Sequence, residues 1–120
     1  MPSSQISHSE AKDLLHKLIT ESTKVQGVLF NPKNGFKAFV SGTAHVSPEG
    51  GVAVIERKDD PRSSMVSFDP SKAVAIRYGD DRAIREQDSV AADVFRREFA
   101  SGLTFLFADG SGAAIFEIKS

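Results

Sequence analysis

Leu103-Thr104-Phe105-Leu106-Phe107-Ala108, then Asp109-Gly110-Ser111-Gly112, then Ala113-Ala114-Ile115-Phe116-Glu117-Ile118, is the stretch whose reading decides the fold class. Two short runs rich in Phe, Leu and Ile flank four turn-forming residues, which is the pattern of a β-hairpin. With those four as the loop, Phe107 lies opposite Ala114, Phe105 opposite Phe116 and Leu103 opposite Ile118, so all three pairs share one apolar face. The other face pairs Leu106 with Ile115 and Thr104 with Glu117. Both sides of the hairpin are therefore apolar and each needs a cover. If only one is covered, Leu106 and Ile115 form an exposed patch of the kind that marks a partner surface.

Upstream of the hairpin, Phe36, Ala38, Val40, Gly42, Ala44 and Val46 alternate with Lys37, Phe39, Ser41, Thr43 and His45, a strand with one face more apolar than the other. Ser47-Pro48-Glu49-Gly50-Gly51 turns it into a strand over 52–57, with Val46 opposite Val52 and Ala44 opposite Val54. Shorter strands are predicted over 25–30, 64–68 and 73–78, separated by turn-rich or polar stretches at 31–35, 58–63 and 69–72. Connections of about four to six residues are too short for parallel crossovers, so consecutive strands must run antiparallel.

Two helices are predicted. Ser7-His8-Ser9-Glu10 fits a capping box, and Ala11, Leu14, Leu15, Leu18 and Ile19 then trace one apolar stripe, with Lys12, Asp13, Lys17 and Glu21 mostly away from it. That gives a helix over about 8–22. Val90, Val94, Phe95 and Phe99 also recur at helical intervals, with Asp88 or Ser89 as cap and Gly102 as stop, so the spacing predicts a second helix over 89–101. The expectation is one α+β domain over 1–120. It has an N-terminal helix, a curved antiparallel sheet of about six to seven strands with helices over one face, and a second helix before the C-terminal β-hairpin.

A length of 120 residues is one domain's worth, and 40% apolar residues supply a core without disulfide or metal staples. Fifteen basic residues against sixteen acidic ones leave a net charge of -1, without the cationic excess that a phosphate backbone demands; no nucleic-acid partner is expected. The chain has no cysteine, hence no disulfide, thiolate metal site or Cys nucleophile. Met1-Pro2-Ser3-Ser4-Gln5-Ile6 lacks the basic start and apolar run of a leader, and no apolar run is long enough to span a bilayer, so the expected location is cytoplasmic, with no membrane partner. Nine Phe against one Tyr and no Trp is a bias towards core packing over wet interfaces.

Motifs that would carry chemistry are missing. There is no Walker-type or dinucleotide-binding glycine loop and no serine in a nucleophile elbow. His8 and His16 are eight residues apart, about 80° around a helix, and no metal-ligand spacing links them to each other or to His45. No cofactor and no metal are expected. The best weak candidates lie in Tyr78-Gly79-Asp80-Asp81-Arg82, where two carboxylates and a guanidinium follow a strand; a Gly-Asp turn with surface ion pairs explains the same residues.

The leading functional expectation is a non-enzymatic interaction module that binds another protein or itself, with Leu106 and Ile115 as possible partner surface. The alternative is a small-molecule-binding protein or a modest acid/base enzyme with a site between sheet and helix, drawing on His45, Asp80, Asp81 and Arg82. A third is an assembly subunit in which an edge strand over 25–30 pairs between chains.

Overall fold

The computed structural model describes residues 4–21, 24–79 and 99–118. The capping box forms as the sequence requires: the Glu10 amide donates to Ser7 Oγ at 3.1 Å and the Ser7 amide to Glu10 Oε1 at 3.3 Å. Helix α1 follows over His8–Glu21 and buries Ala11, Leu15 and Leu18.

Among the described residues it is accompanied by eight strands: β1 (Ser4–Ile6), β2 (Val25–Asn31), β3 (Phe36–Val46), β4 (Val52–Ile55), β5 (Met65–Phe68), β6 (Ala73–Gly79), β7 (Phe99–Phe107) and β8 (Gly112–Ile118). They form one sheet in the order β1-β6-β7-β8-β2-β3-β4-β5, antiparallel at every step. The architecture is mixed α+β and mostly sheet. It departs from the sequence expectation in four places.

Strand β1 was not expected, because three residues are too few to show a period; it joins the sheet by pairing Ile6 with Ile76. The strand over 25–30 is no edge. It lies between β8 and β3, and the edges are β1 and β5. Of the helix expected over 89–101, residues 89–98 lie outside the described residues, and Phe99 already belongs to β7, paired with Ile118. There the ladder to β8 outweighs the helical spacing of the apolar residues. Among the described residues α1 is thus the one α-helix.

The fourth correction is the register of the C-terminal hairpin. Leu103 pairs with Ile115, Thr104 with Ala114 and Phe105 with Ala113. The loop is Ala108-Asp109-Gly110, closed by the Phe107 amide donating to the Ser111 carbonyl at 3.0 Å. Moving from a four-residue to a three-residue loop changes its parity, so β8 is turned over relative to β7. Phe105 and Ile115 now share the main core, whereas Phe116 and Leu106 look to the other side. Leu106 and Ile115 cannot form a common patch.

The sheet is strongly curved. Strand β3 pairs with β2 as far as Gly42 and with β4 from Thr43 onward. A Cβ at position 42 would collide with the Ile55 carbonyl oxygen, so only glycine lets β4 fold back this tightly. Strand β5 is thereby brought across the concave face: Phe68 meets Phe105 of β7 with ring centroids 5.1 Å apart and planes tilted by 44°. Val40, Val52, Val54, Val66, Ile76, Leu103 and Phe105 build this interior together with the apolar stripe of α1. A second cluster, Val28, Phe30, Ala114 and Phe116, lies on the other face and is also buried. Among the described residues, no helix is long and apolar enough to cross a membrane.

Candidate functional site

The stripe of α1 does not fill the concave face completely. A cavity of about 410 Å³ remains between the helix and the sheet. Its floor is Ile76 of β6 and Phe105 of β7, cross-strand partners that are 1% and 0% exposed. Ala11 and Leu15 of α1 form one wall. Val46 at the end of β3, Gly50 in the turn after it, and Pro70 and Ser71 in a single 3-10 turn over Pro70–Lys72 close the other side.

The ionisable side chains come from α1. His8, Lys12 and His16 line the cavity at successive steps of four residues. Each such step advances about 40° around a helix, so the three remain on one flank over two turns. His8 Nε2 lies 2.9 Å from the Ala73 carbonyl oxygen. That oxygen only accepts, so Nε2 carries the proton, and the bond ties the first turn of α1 to β6. Among the described residues that line this cavity, none is acidic.

Asp69, next to Pro70 in sequence, caps the 3-10 turn. Its Oδ1 accepts the Ser71 hydroxyl at 2.6 Å and the Ser71 amide at 3.0 Å. These bonds, the hydroxyl's first, hold Asp69 ionised below the ordinary aspartate range. Asp69 instead lines a second space, of about 590 Å³, among loop tips beyond Phe36, Phe68 and Phe107, where it is joined by Lys72 and Asp109. Asp109 repeats the arrangement by accepting the hydroxyl and amide of Ser111 and is lowered for the same reason.

The residues singled out from sequence do not converge here. His45 is half-buried on β3, with Nε2 2.9 Å from Thr43 Oγ1, and lines a separate depression with Ser47 and Asp69. Asp80, Asp81 and Arg82 lie outside the described residues. Ile115 is completely buried in the main core, and Leu106 is half-buried against the second cluster. Among the described residues, no group of three or more His, Cys, Asp or Glu could hold a metal ion.

Sequence reading missed the His8–Lys12–His16 flank. Its signal was the repeated spacing of four along a helix already identified, with Lys12 midway between the two histidines. No family model matches the chain. No curated protein and no solved structure matches it either. Function has to be argued from the site.

Proposed function

We propose that this domain binds a small, largely apolar molecule in the cavity beneath α1. The observation that carries the reading is the cavity itself: about 410 Å³, floored by two wholly buried residues on paired strands, with a few polar groups around it, the ionisable ones all on the α1 flank. That size and that division between apolar floor and sparse polar rim are typical of ligand sites, and strands in a packed sheet hold such a floor rigid. Binding is favoured over turnover because His8 Nε2 is engaged by Ala73 and no described lining residue supplies a carboxylate partner for acid/base work.

The test is thermal unfolding of the pure protein against a panel of acyl and aromatic metabolites. A ligand of the native state at about 100 times its Kd adds about 2.7 kcal/mol, which moves the midpoint by several degrees. Val46 lines the cavity yet is 53% exposed, so Val46→Trp narrows the site without entering the core. The variant is expected to keep the ligand-free midpoint and to lose the shift. A shift that survives in Val46→Trp, or a panel without any shift, would count against the reading.

Docking of another protein is the second reading. With Ile115 buried, its support passes to Phe36 of β3, which is 55% exposed.

A further inference from the structure

Resting on the cavity reading above, we infer that the ligand carries an anionic head group, a carboxylate on an apolar body, with the head at Lys12 and His16 and the body against Ile76 and Phe105. Lys12 lines a space whose floor is apolar, and it forms no ion pair with any described residue. The helix offers none at the spacings that allow side-chain contact. Residues three and four away from Lys12 are Ser9, His8, Leu15 and His16, whereas the acidic Glu10 and Asp13 stand two and one away and point elsewhere around the helix.

The space beneath α1 and the one among the loop tips differ in charge in a way that sorts ligands. The one among the loop tips is lined by Asp69 and Asp109 with Lys72. The one beneath α1 is lined by Lys12 and two imidazoles with no described carboxylate. A cationic head placed beneath α1 would meet a like charge and find no described carboxylate to pair with, and a neutral head would accept a hydrogen bond from Lys12 without the attraction between opposite charges. An anionic head completes the pair while staying at an exposed rim, where neither charge is stripped of water. Lys12 lines the space and is exposed, and a lysine combines an apolar stem with a charged tip, which suits a ligand that is apolar below and charged above.

Titration calorimetry of the full chain with decanoate, decanol and decylamine, all below micelle formation, tests this. Amide shifts at Leu15 and Ile76 report whether each compound occupies the cavity. Decanoate is expected to bind about threefold more tightly than decanol, as an exposed ion pair allows, with decylamine weakest. Lys12→Gln is expected to bring decanoate to the level of decanol and to leave decanol unchanged. If the three bind alike with shifts at Leu15 and Ile76, the cavity reading stands and the anionic head is refuted. A preference for decanoate that persists in Lys12→Gln removes Lys12 from the site. Absence of both heat and shifts for all three compounds overturns the inference and the cavity reading together.

Discussion

The β3–β4 and β7–β8 hairpins share one turn geometry. Each has a three-residue loop ending in a glycine with positive φ, Gly50 at 88° and Gly110 at 90°. In each, that glycine's amide donates to the carbonyl three residues back, Ser47 at 2.9 Å and Phe107 at 3.1 Å. The left-handed glycine is what lets so short a loop follow the twist of the strands. Where the hairpins differ is in how the residue after the glycine is held. The Gly51 amide donates to the Ser47 hydroxyl at 3.0 Å, whereas the Ser111 amide donates to the Asp109 carboxylate at 2.9 Å. They differ also in their surroundings. The β3–β4 ribbon keeps Thr43 exposed and His45 half-buried on the side away from the core, while β7 and β8 are buried on both sides. One turn therefore serves two environments: the polar back of the first ribbon fixes which side faces inward, and in the second the turn alone must do so.

The sharpest way to break this comparison is a double-mutant cycle in the second hairpin. Phe105→Ala and Phe116→Ala are each expected to cost about 3–5 kcal/mol in urea unfolding, since each empties a fully buried site. The rings occupy opposite faces and separate clusters, so the double variant should equal the sum within about 0.5 kcal/mol. A coupling above about 1 kcal/mol would restore the register that sets the two rings face to face. A smaller effect tests the shared turn. Gly50→Ala and Gly110→Ala should cost about the same, roughly 1–2 kcal/mol, because each forces a Cβ into left-handed backbone. Unequal losses would mean that the two turns are not equivalent.

The smallest effect separates the two anchors. The Ser111 hydroxyl and then its amide favour the charged form of Asp109 and hold its pKa down. A native pKa below the unfolded one gives a contribution that is complete above the unfolded value and is lost as pH falls through the native one. On acidification the Ser111 amide resonance should therefore move with a midpoint below the ordinary aspartate range. The Gly51 amide, held by a hydroxyl that does not titrate, should stay. A Ser111 midpoint at the ordinary carboxylate value would show that the Asp109 bonds are absent in solution.

Legibility in the sequence followed the same division. Alternation with one polar side placed Val46 opposite Val52 and Ala44 opposite Val54, as found. In β7 and β8 a shift of one residue leaves apolar side chains on both faces, so alternation carried no phase, and counting four turn-formers gave the wrong loop length. Helix α1 was legible because its cap and its stripe are both local. The place of β2 between β8 and β3, and the pairing of β1 with β6, join segments distant in sequence that no local pattern announces. The cavity belongs to this second kind. Its polar residues sit on the best-read element of the chain, but their role depends on the β3–β4 turn and the 3-10 turn arriving opposite them. His45 stood out as an isolated polar residue on a strand, and the structure turns it to a different depression.

Gly42 has a mechanical consequence. Because β3 runs unbroken through the point where it changes partners, the residues beyond Gly42 form an arm that carries β4 with it and packs on the core through Val52 and Val54. Val46 stands four residues along that arm, about 13 Å at strand rise, and a rotation of about 10° at the pivot would displace it by about 2 Å. Val46 and Gly50 border the space beneath α1, so its aperture depends on a backbone angle as well as on the side chains at its rim. A residue outside the lining thereby bears on the bore of the site.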